Sequence, residues 1–450
     1  MQKRILLAMF CASTLLLCAV ANCCAEERPN FVWLLSEDNS KHYLKLFDEN
    51  GAPTPHIEAL ARNGIVFDRA FSCSPVCSVA RTTLMTGCYA PRIGTQFHRK
   101  IKMAAMPEGL RMFPAYLREA GYYTTNNSKK DYNAVEGKGV WDESSKKATW
   151  RKRPNKDQPF FHMQSFGQSH ESSLHFPQKQ VDANSLVTSV DDVKIADYHP
   201  DTPTFRYTYA RYHDRIREID RQIGNVVRQL EEDGLLENTF IFYFGDHGGV
   251  LPRSKGYVFE SGLHVPLVVR VPKNFESLVA LPRGDRTTGF VEFVDLGPTL
   301  LHLAGLEVPD QVDGEPILGQ SISPEELAKR DEAFGYADRF DEKYDLVRSL
   351  RKGRYKYIRN FQAYFPDGLQ NNYRFRMLAY AQWRKMFADG KLNVAQRAFF
   401  EAKPVEGLYD LESDPHEVHN LAGDPQHAKK LAEMGRLLSE RMKNLPDLSL

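Results

Sequence analysis

Five stretches of the chain are almost continuously apolar: Asn30 to Leu35, Tyr122 to Thr125, Phe160 to Phe166, Thr239 to Phe244 and Val265 to Val271. Short runs rich in β-branched and aromatic residues mark strands buried on both faces. Between them, apolar positions recur at helical spacing. Tyr209 to Asp233 carries Ile216, Ile219, Ile223, Val226, Val227 and Leu230 along one face, and Gly234 stops it. Thr54-Pro55 opens a helix over His56 to Asn63 that Gly64 closes. Asp295 to Ala304 reads as another. Strands alternating with helices predict an α/β fold, a large and mostly parallel sheet sandwiched by helices.

The pattern changes near residue 330. Asp338 to Phe361 reads as a meander of shorter strands, among them Tyr344 to Leu350 and Arg354 to Arg359. Asn371 to Phe400 is aromatic, basic and helical in pattern. Gly407 to Leu411 reads as one more strand, and Pro425 to Met442 as a closing amphipathic helix. Residues 26–332 therefore form one unit. Residues 333–450 form a smaller α+β subdomain with an antiparallel sheet, packed on the first.

At the other end, Lys3 and Arg4 precede an apolar stretch from Ile5 to Ala21, and Cys23-Cys24-Ala25 supplies a small-residue exit. This is the layout of a secretory leader spanning residues 1–25, which predicts export to the periplasm or beyond. A retained anchor, or lipid attachment at Cys23 or Cys24, is the alternative. With 59 Lys+Arg against 58 Asp+Glu, no basic excess points to nucleic acid. Of seven cysteines, only Cys73, Cys77 and Cys88 lie beyond the leader, too few for a disulfide framework. They read as buried small hydrophobes, as a Cys73–Cys88 pair with one thiol over, or as a site in which one of them does chemistry.

Ligands of open α/β sheets bind beyond the carboxyl ends of the strands. Glu37-Asp38 follows the first apolar run, Lys129-Lys130-Asp131 the second, His170 the third and Asp246-His247-Gly248 the fourth. Alone, Glu37-Asp38 reads as a helix N-cap pair and Asp246-His247-Gly248 as a turn. Together they place three carboxylates on one rim, where a cation is needed to keep them ionised. Oxygen ligands favour Ca2+ or Mg2+, with His247 as the one nitrogen donor. Ser78 to Met85 forms a short helix ending at Gly87, with Cys77 at its N-terminus, where free N–H groups favour an anion. Arg81, one turn on, reaches back toward it.

Cys77-Ser78-Val79-Ala80-Arg81, followed after four residues by Thr86-Gly87, resembles the signature of the type I sulfatases. These are the formylglycine-dependent members of the alkaline phosphatase superfamily. The resemblance extends over Arg28-Pro29-Asn30, Thr54 to Ala61, Asp246-His247-Gly248, Lys255 with Phe259 to Gly262, and Leu408 to Leu411 with Asp414 to Glu417. It implies the alkaline-phosphatase-like fold and a sulfuric ester hydrolase. It also implies that a maturation enzyme converts Cys77 to formylglycine, present as its hydrate. Glu37, Asp38, Asp246 and His247 would hold the divalent ion, Ca2+ ahead of Mg2+, with position 77 as a further ligand. Arg81 would steady the hydrate. Lys129, His170 and Lys255 would contact the sulfate, with His170 giving a proton to the leaving oxygen.

The chain departs from the family pattern at several positions. Val79 stands in place of proline, Glu37-Asp38 in place of two aspartates, and Lys130-Asp131 in place of Trp-His. His264 stands where arginine is usual. Asp131 and His98 are the candidates for the missing histidine's place, and with His264 and Arg339 they form the expected substrate contacts. Asp338, Arg348, Arg351 and the stretch 373–383 either border the pocket or make an ordinary charged face. The resemblance points to a sulfated carbohydrate as substrate. A phosphodiesterase or phosphonate monoester hydrolase of the same superfamily is the enzymatic alternative. An inactive binder of sulfated glycans is the other.

Overall fold

The computed structural model describes residues 27–99 and 102–450; the expected leader, with Cys23 and Cys24, lies outside them. The apolar runs form the centre of an eight-stranded sheet. Its strands are β1 (Asn30–Ser36), β2 (Gly64–Phe71), β3 (Tyr123–Asn127), β4 (Glu143–Ser144), β5 (Phe160–Phe166), β6 (Thr239–Gly245), β7 (His264–Arg270) and β8 (Arg286–Glu292). The order is β4-β3-β5-β1-β6-β7-β2-β8, and β7 alone runs antiparallel to its neighbours.

Period-two alternation sends each central strand's side chains into two separate cores. Phe31, Trp33 and Leu35 of β1 join Phe240, Phe242 and Phe244 of β6 beneath helix α2 (Cys77–Thr86) and the helix Leu296–Leu303. Val32 and Leu34 face the other way. There, with Ile241 and Tyr243, they meet α1 (Pro55–Arg62) and Ile216, Ile219 and Ile223 of the long helix Pro203–Glu232. That helix begins earlier than its apolar stripe suggests, because the Thr202 hydroxyl caps it by accepting from the Phe205 N–H.

Strands β9 (Glu332–Ala337), β10 (Val347–Lys352), β11 (Tyr355–Asn360) and β12 (Glu406–Asp410) form a separate antiparallel sheet. A small apolar cluster joins it to the first sheet through Phe71, Leu263 and Phe290. Arg348, buried on β10, pairs with Asp338 at 2.7 Å and with Asp447 at 2.5 Å, fastening the chain's last residues to this sheet. Cys73, Cys77 and Cys88 are all buried free thiols, so the Cys73–Cys88 disulfide is not formed. Among the described residues, no helix is long and apolar enough to cross a membrane.

Candidate active site

Register brings the acidic residues together. Strand β1 pairs with β6 so that Ser36 lies opposite Gly245; Glu37-Asp38 and Asp246-His247 therefore leave the sheet side by side. The two exits are tied by Asp246 N–H to Ser36 O at 2.9 Å and by Asp38 N–H to Asp246 Oδ1 at 3.0 Å. Asp38 adopts a left-handed backbone conformation (φ +49°), one an aspartate tolerates better than most residues.

Helix α2 carries Cys77 as its first residue and ends at Gly87 (φ +66°), whose N–H returns to Thr83 O. Cys77 Sγ lies 3.5 Å from His247 Nε2 and 3.9 Å from Asp38 Oδ1. Ligand atoms of Asp38, Cys77 and His247 all fall within 4.8 Å of one another, and all three residues are buried.

Cations close around this core. Lys255 donates to both oxygens of Asp38, at 2.9 and 2.8 Å. Arg81 donates from Nε to Asp246 Oδ2 at 3.0 Å and from Nη1 to Ser165 Oγ at 3.1 Å. Lys129 donates to Glu37 Oε2 at 2.9 Å and stands 3.9 Å from Asp246.

Burial alone would raise the pKa of Asp38, but Lys255, His247 and His170 outweigh it and hold the carboxyl well below its usual range. Burial likewise opposes charge on Lys255, yet Asp38 keeps that ammonium protonated well above its ordinary value. His247 rises to about 10: burial resists the charge, and Asp246 and Asp38 overcome it. The pocket thus stabilises positive charge where its carboxylates meet.

Outside this core lies a cleft of about 530 Å³. Lys255, His170 and Glu171 form its inner edge, and His98, Phe340, Asp341 and Tyr373 its walls. His170 Nδ1 accepts the Ser172 N–H at 3.3 Å, so in the neutral ring Nε2 carries the proton. His98 sits 2.9 Å from the hydroxyl of Ser78, the residue after Cys77, and burial above all pushes its imidazole down to about 2. It is a neutral group on the cleft wall. A larger, more open groove of about 990 Å³, between Asp191–Asp201 and Asn393–Gln396, holds none of these groups.

Several expected substrate contacts are engaged elsewhere. His264 Nε2 donates to Asp68 O at 2.8 Å and Nδ1 lies 2.9 Å from Glu260 Oε2, so both ring nitrogens are engaged, and His264 does not line the cleft. Arg339 donates to the carbonyls of His98 and Asp341 and so holds the His98 loop rather than facing a ligand. Arg348 and Arg351 are buried in ion pairs, the latter with Glu260 at 2.6 Å. Asp131 faces Arg99 at 3.4 Å and Lys129 at 3.9 Å, on the cation side of the rim.

Glu171 is a site residue that no motif revealed. Its N–H donates to Asp38 Oδ2 at 2.7 Å, while its carboxylate lies 3.8 Å from Lys255 and 3.6 Å from buried Arg374. Its only sequence signal is adjacency to His170 at a strand exit.

Comparison with known proteins agrees with this geometry. The family model described as Sulfatase matches residues 29–306. An ulvan-active sulfatase of Formosa agariphila is 36% identical over 463 residues, covering 94% of this chain and 76% of that protein. Human N-sulphoglucosamine sulphohydrolase is 23% identical over 466 residues, covering 92% and 91%. The solved phosphonate monoester hydrolase of Silicibacter pomeroyi shares the fold, with a TM-score of 0.64 at 18% identity over 93% and 96% of the two chains. With the signature helix, the acidic strand exits and the family match all on one frame, the chain belongs to the sulfatase family and is a sulfuric ester hydrolase.

Proposed function

We propose that this chain removes a sulfate ester from a sulfated carbohydrate. In this reading Cys77 is matured to formylglycine by a dedicated enzyme, and Glu37, Asp38, Asp246 and His247 hold a divalent cation, Ca2+ ahead of Mg2+. The observation that carries the proposal is the convergence of Cys77 with three carboxylates and three cationic side chains at the N-terminus of α2. The donor set fits such an ion: carboxylate oxygens dominate and one imidazole joins them, as hard cations prefer. Charge also fits. With His247 giving up its proton to bind the ion, Arg81, Lys129 and Lys255 balance the three carboxylates, so a dication leaves two positive charges, enough for one sulfate ester and one ionised nucleophile.

When bound, the cation lowers the pKa of the nucleophilic oxygen at position 77. An aldehyde hydrate there offers two hydroxyls, one to attack sulfur and one whose proton loss releases sulfate. Lys129 and Lys255 meet the peripheral sulfate oxygens, where negative charge is concentrated. His170 Nε2 holds the proton for the departing sugar oxygen. Arg81 keeps Asp246 and the start of α2 in fixed relation. The sugar assignment rests on the names of the relatives, one for ulvan and one for N-sulphoglucosamine. The leader over residues 1–25 supports export to the periplasm or beyond.

Coexpression with a formylglycine-generating enzyme provides the test. The intact mass should fall relative to the encoded chain, with the change mapped to residue 77, and sulfate release should follow that conversion. Cys77→Ala should abolish release while the folded spectrum is kept. Full turnover by a chain still carrying cysteine or alanine at 77 defeats the mechanism. Faster hydrolysis of an aryl phosphonate than of the matching aryl sulfate would favour the phosphonate reading.

A further inference from the structure

We propose that the cleft selects a sugar carrying a second anionic group besides the scissile sulfate, a carboxylate or another sulfate, and that Arg376 binds that group. The inference rests on the sulfated-carbohydrate reading above and specifies its substrate class.

The cleft's volume of about 530 Å³ lies within the range of about 300–1,000 Å³ typical of small-ligand sites. Its lining is divided by chemistry. Lys255 and His170 mark the reacting end. Asp341 and Glu342 form an acceptor edge: Asp341 receives a weak bond from Asn371 and Glu342 one from Asn372 N–H, each at 3.4 Å, which leaves carboxylate lone pairs for hydroxyl groups. Tyr373 supplies an aromatic face, and Arg376 lies beside it, its guanidinium carbon 5.4 Å from the ring centroid.

Arg376 differs from every other arginine around the site. Arg81 is paired with Asp246, Arg99 with Asp131 and Arg374 with Glu171, while Arg339 is engaged with backbone carbonyls. Arg376 is exposed, and among the described residues it has no carboxylate partner. Its neighbour His175, edge-on to Tyr373 at 4.7 Å, is neutral and competes for no anion: burial first, then Arg376, pushes that imidazole down to about 4. A guanidinium shelved on an aromatic ring, facing a cleft and left unpaired, is a preorganised fork for a carboxylate or sulfate. The acceptor edge of Asp341 and Glu342 in the same cleft suits the hydroxyls of the same ring. A sugar whose only anion is the scissile sulfate would leave this fork unused.

The test uses the matured full-length enzyme and three probes: a glucose monosulfate, the matching glucuronic acid sulfate and a glucose disulfate. Wild type should show higher kcat/KM on at least one doubly anionic probe than on the neutral-ring probe. Arg376→Gln should lower that value about 10–100-fold, mainly through KM, and leave the neutral-ring probe within about threefold. Arg376→Lys should fall between, because it keeps charge and loses the fork. The better doubly anionic probe tells carboxylate from sulfate. Equal loss on all three probes, or no wild-type preference for a second anion, overturns the inference while leaving the sulfatase reading intact. Failure of wild type to release sulfate from any of the three overturns the carbohydrate reading itself.

Discussion

Arg81 lies one turn into α2 and is almost wholly buried, and its bonds to Asp246 and Ser165 connect the helix of Cys77 to the exits of β5 and β6. Lysine at this position keeps the charge but cannot donate in two directions from one plane. Arg81→Lys is therefore expected to retain the fold and lose about 10²–10³-fold in kcat, the scale of one preorganised charge-stabilising donor. Steady-state kinetics beside a far-UV spectrum decide it; unchanged kcat would show that charge alone suffices. Single residues also show where sequence reading stops. Cys77, Arg81 and Asp246-His247 stand in motifs whose spacing is itself chemical. Glu171 and Arg374 are ordinary charged residues in sequence, and only the turn after β5 and the packing of Arg374 against Phe340 at 4.1 Å give them a place. His264 shows the converse: a motif position fixes the backbone, whereas the ring's direction is set by Glu260, four residues before it, and by the Asp68 carbonyl, far away in sequence.

Two turns from separate strands make the floor of the site by backbone contact. Gly248 donates to Gly262 O at 2.9 Å and Gly249 to Ser261 O at 2.7 Å, which locks the turn after β6 to the short helix Glu260–Leu263 just beyond Lys255. A Cβ on residue 248 would sit 2.3 Å from the Gly262 carbonyl carbon and 2.4 Å from Ser261 O, and backbone cannot give way cheaply there. Gly248→Ala should push the His247 turn away from Lys255 and cost about 10²-fold or more in kcat/KM, the usual penalty for displacing a catalytic group by about 1 Å. Near-normal kinetics would mean that the two turns are not rigidly coupled. The same elements show which strands are legible. β1, β6 and β7 are buried along their whole length and β5 over all but Gln164 and Ser165, so hydrophobicity marks them. β2 carries half-exposed Asp68 and Arg69, and β8 begins with polar residues at the sheet's edge, so neither forms an apolar run. β9 is not among the apolar runs, and β10 begins at Val347 rather than Tyr344, because short antiparallel strands take their limits from partners.

Over the whole molecule, burial leaves many imidazoles without charge. It pushes His42 down to about 3, His98 to about 2, and His162, His213 and His264 each to about 4. In the unfolded chain these groups titrate near 6.5, so between about pH 4 and 6.5 the unfolded state binds more protons than the folded one. Their contribution is complete above pH 6.5 and is lost as pH falls toward the folded values. Glu292 acts in the opposite sense. Burial raises it to about 7, where Tyr89 OH at 2.7 Å and Phe334 N–H at 2.9 Å donate to its two oxygens. Its folded state therefore holds the extra proton, and its contribution is lost as pH rises from about 4.3 to 7. His175 and His199 are lowered as well, so seven imidazoles stand against five groups raised instead, Glu292, His247, Asp220, Asp338 and Glu417, and the urea midpoint should drop between pH 7 and pH 5. Each group changes that slope by at most about 1.4 kcal/mol per pH unit. His162, buried in β5 between Thr125 Oγ1 and Gln164 Oε1, offers one signed control, and Glu292 offers the other. His162→Gln should flatten the fall toward acid, and Glu292→Gln should steepen it, whatever constant offset each substitution adds. Parallel curves for wild type and both variants would show that these buried groups do not set the protein's acid stability.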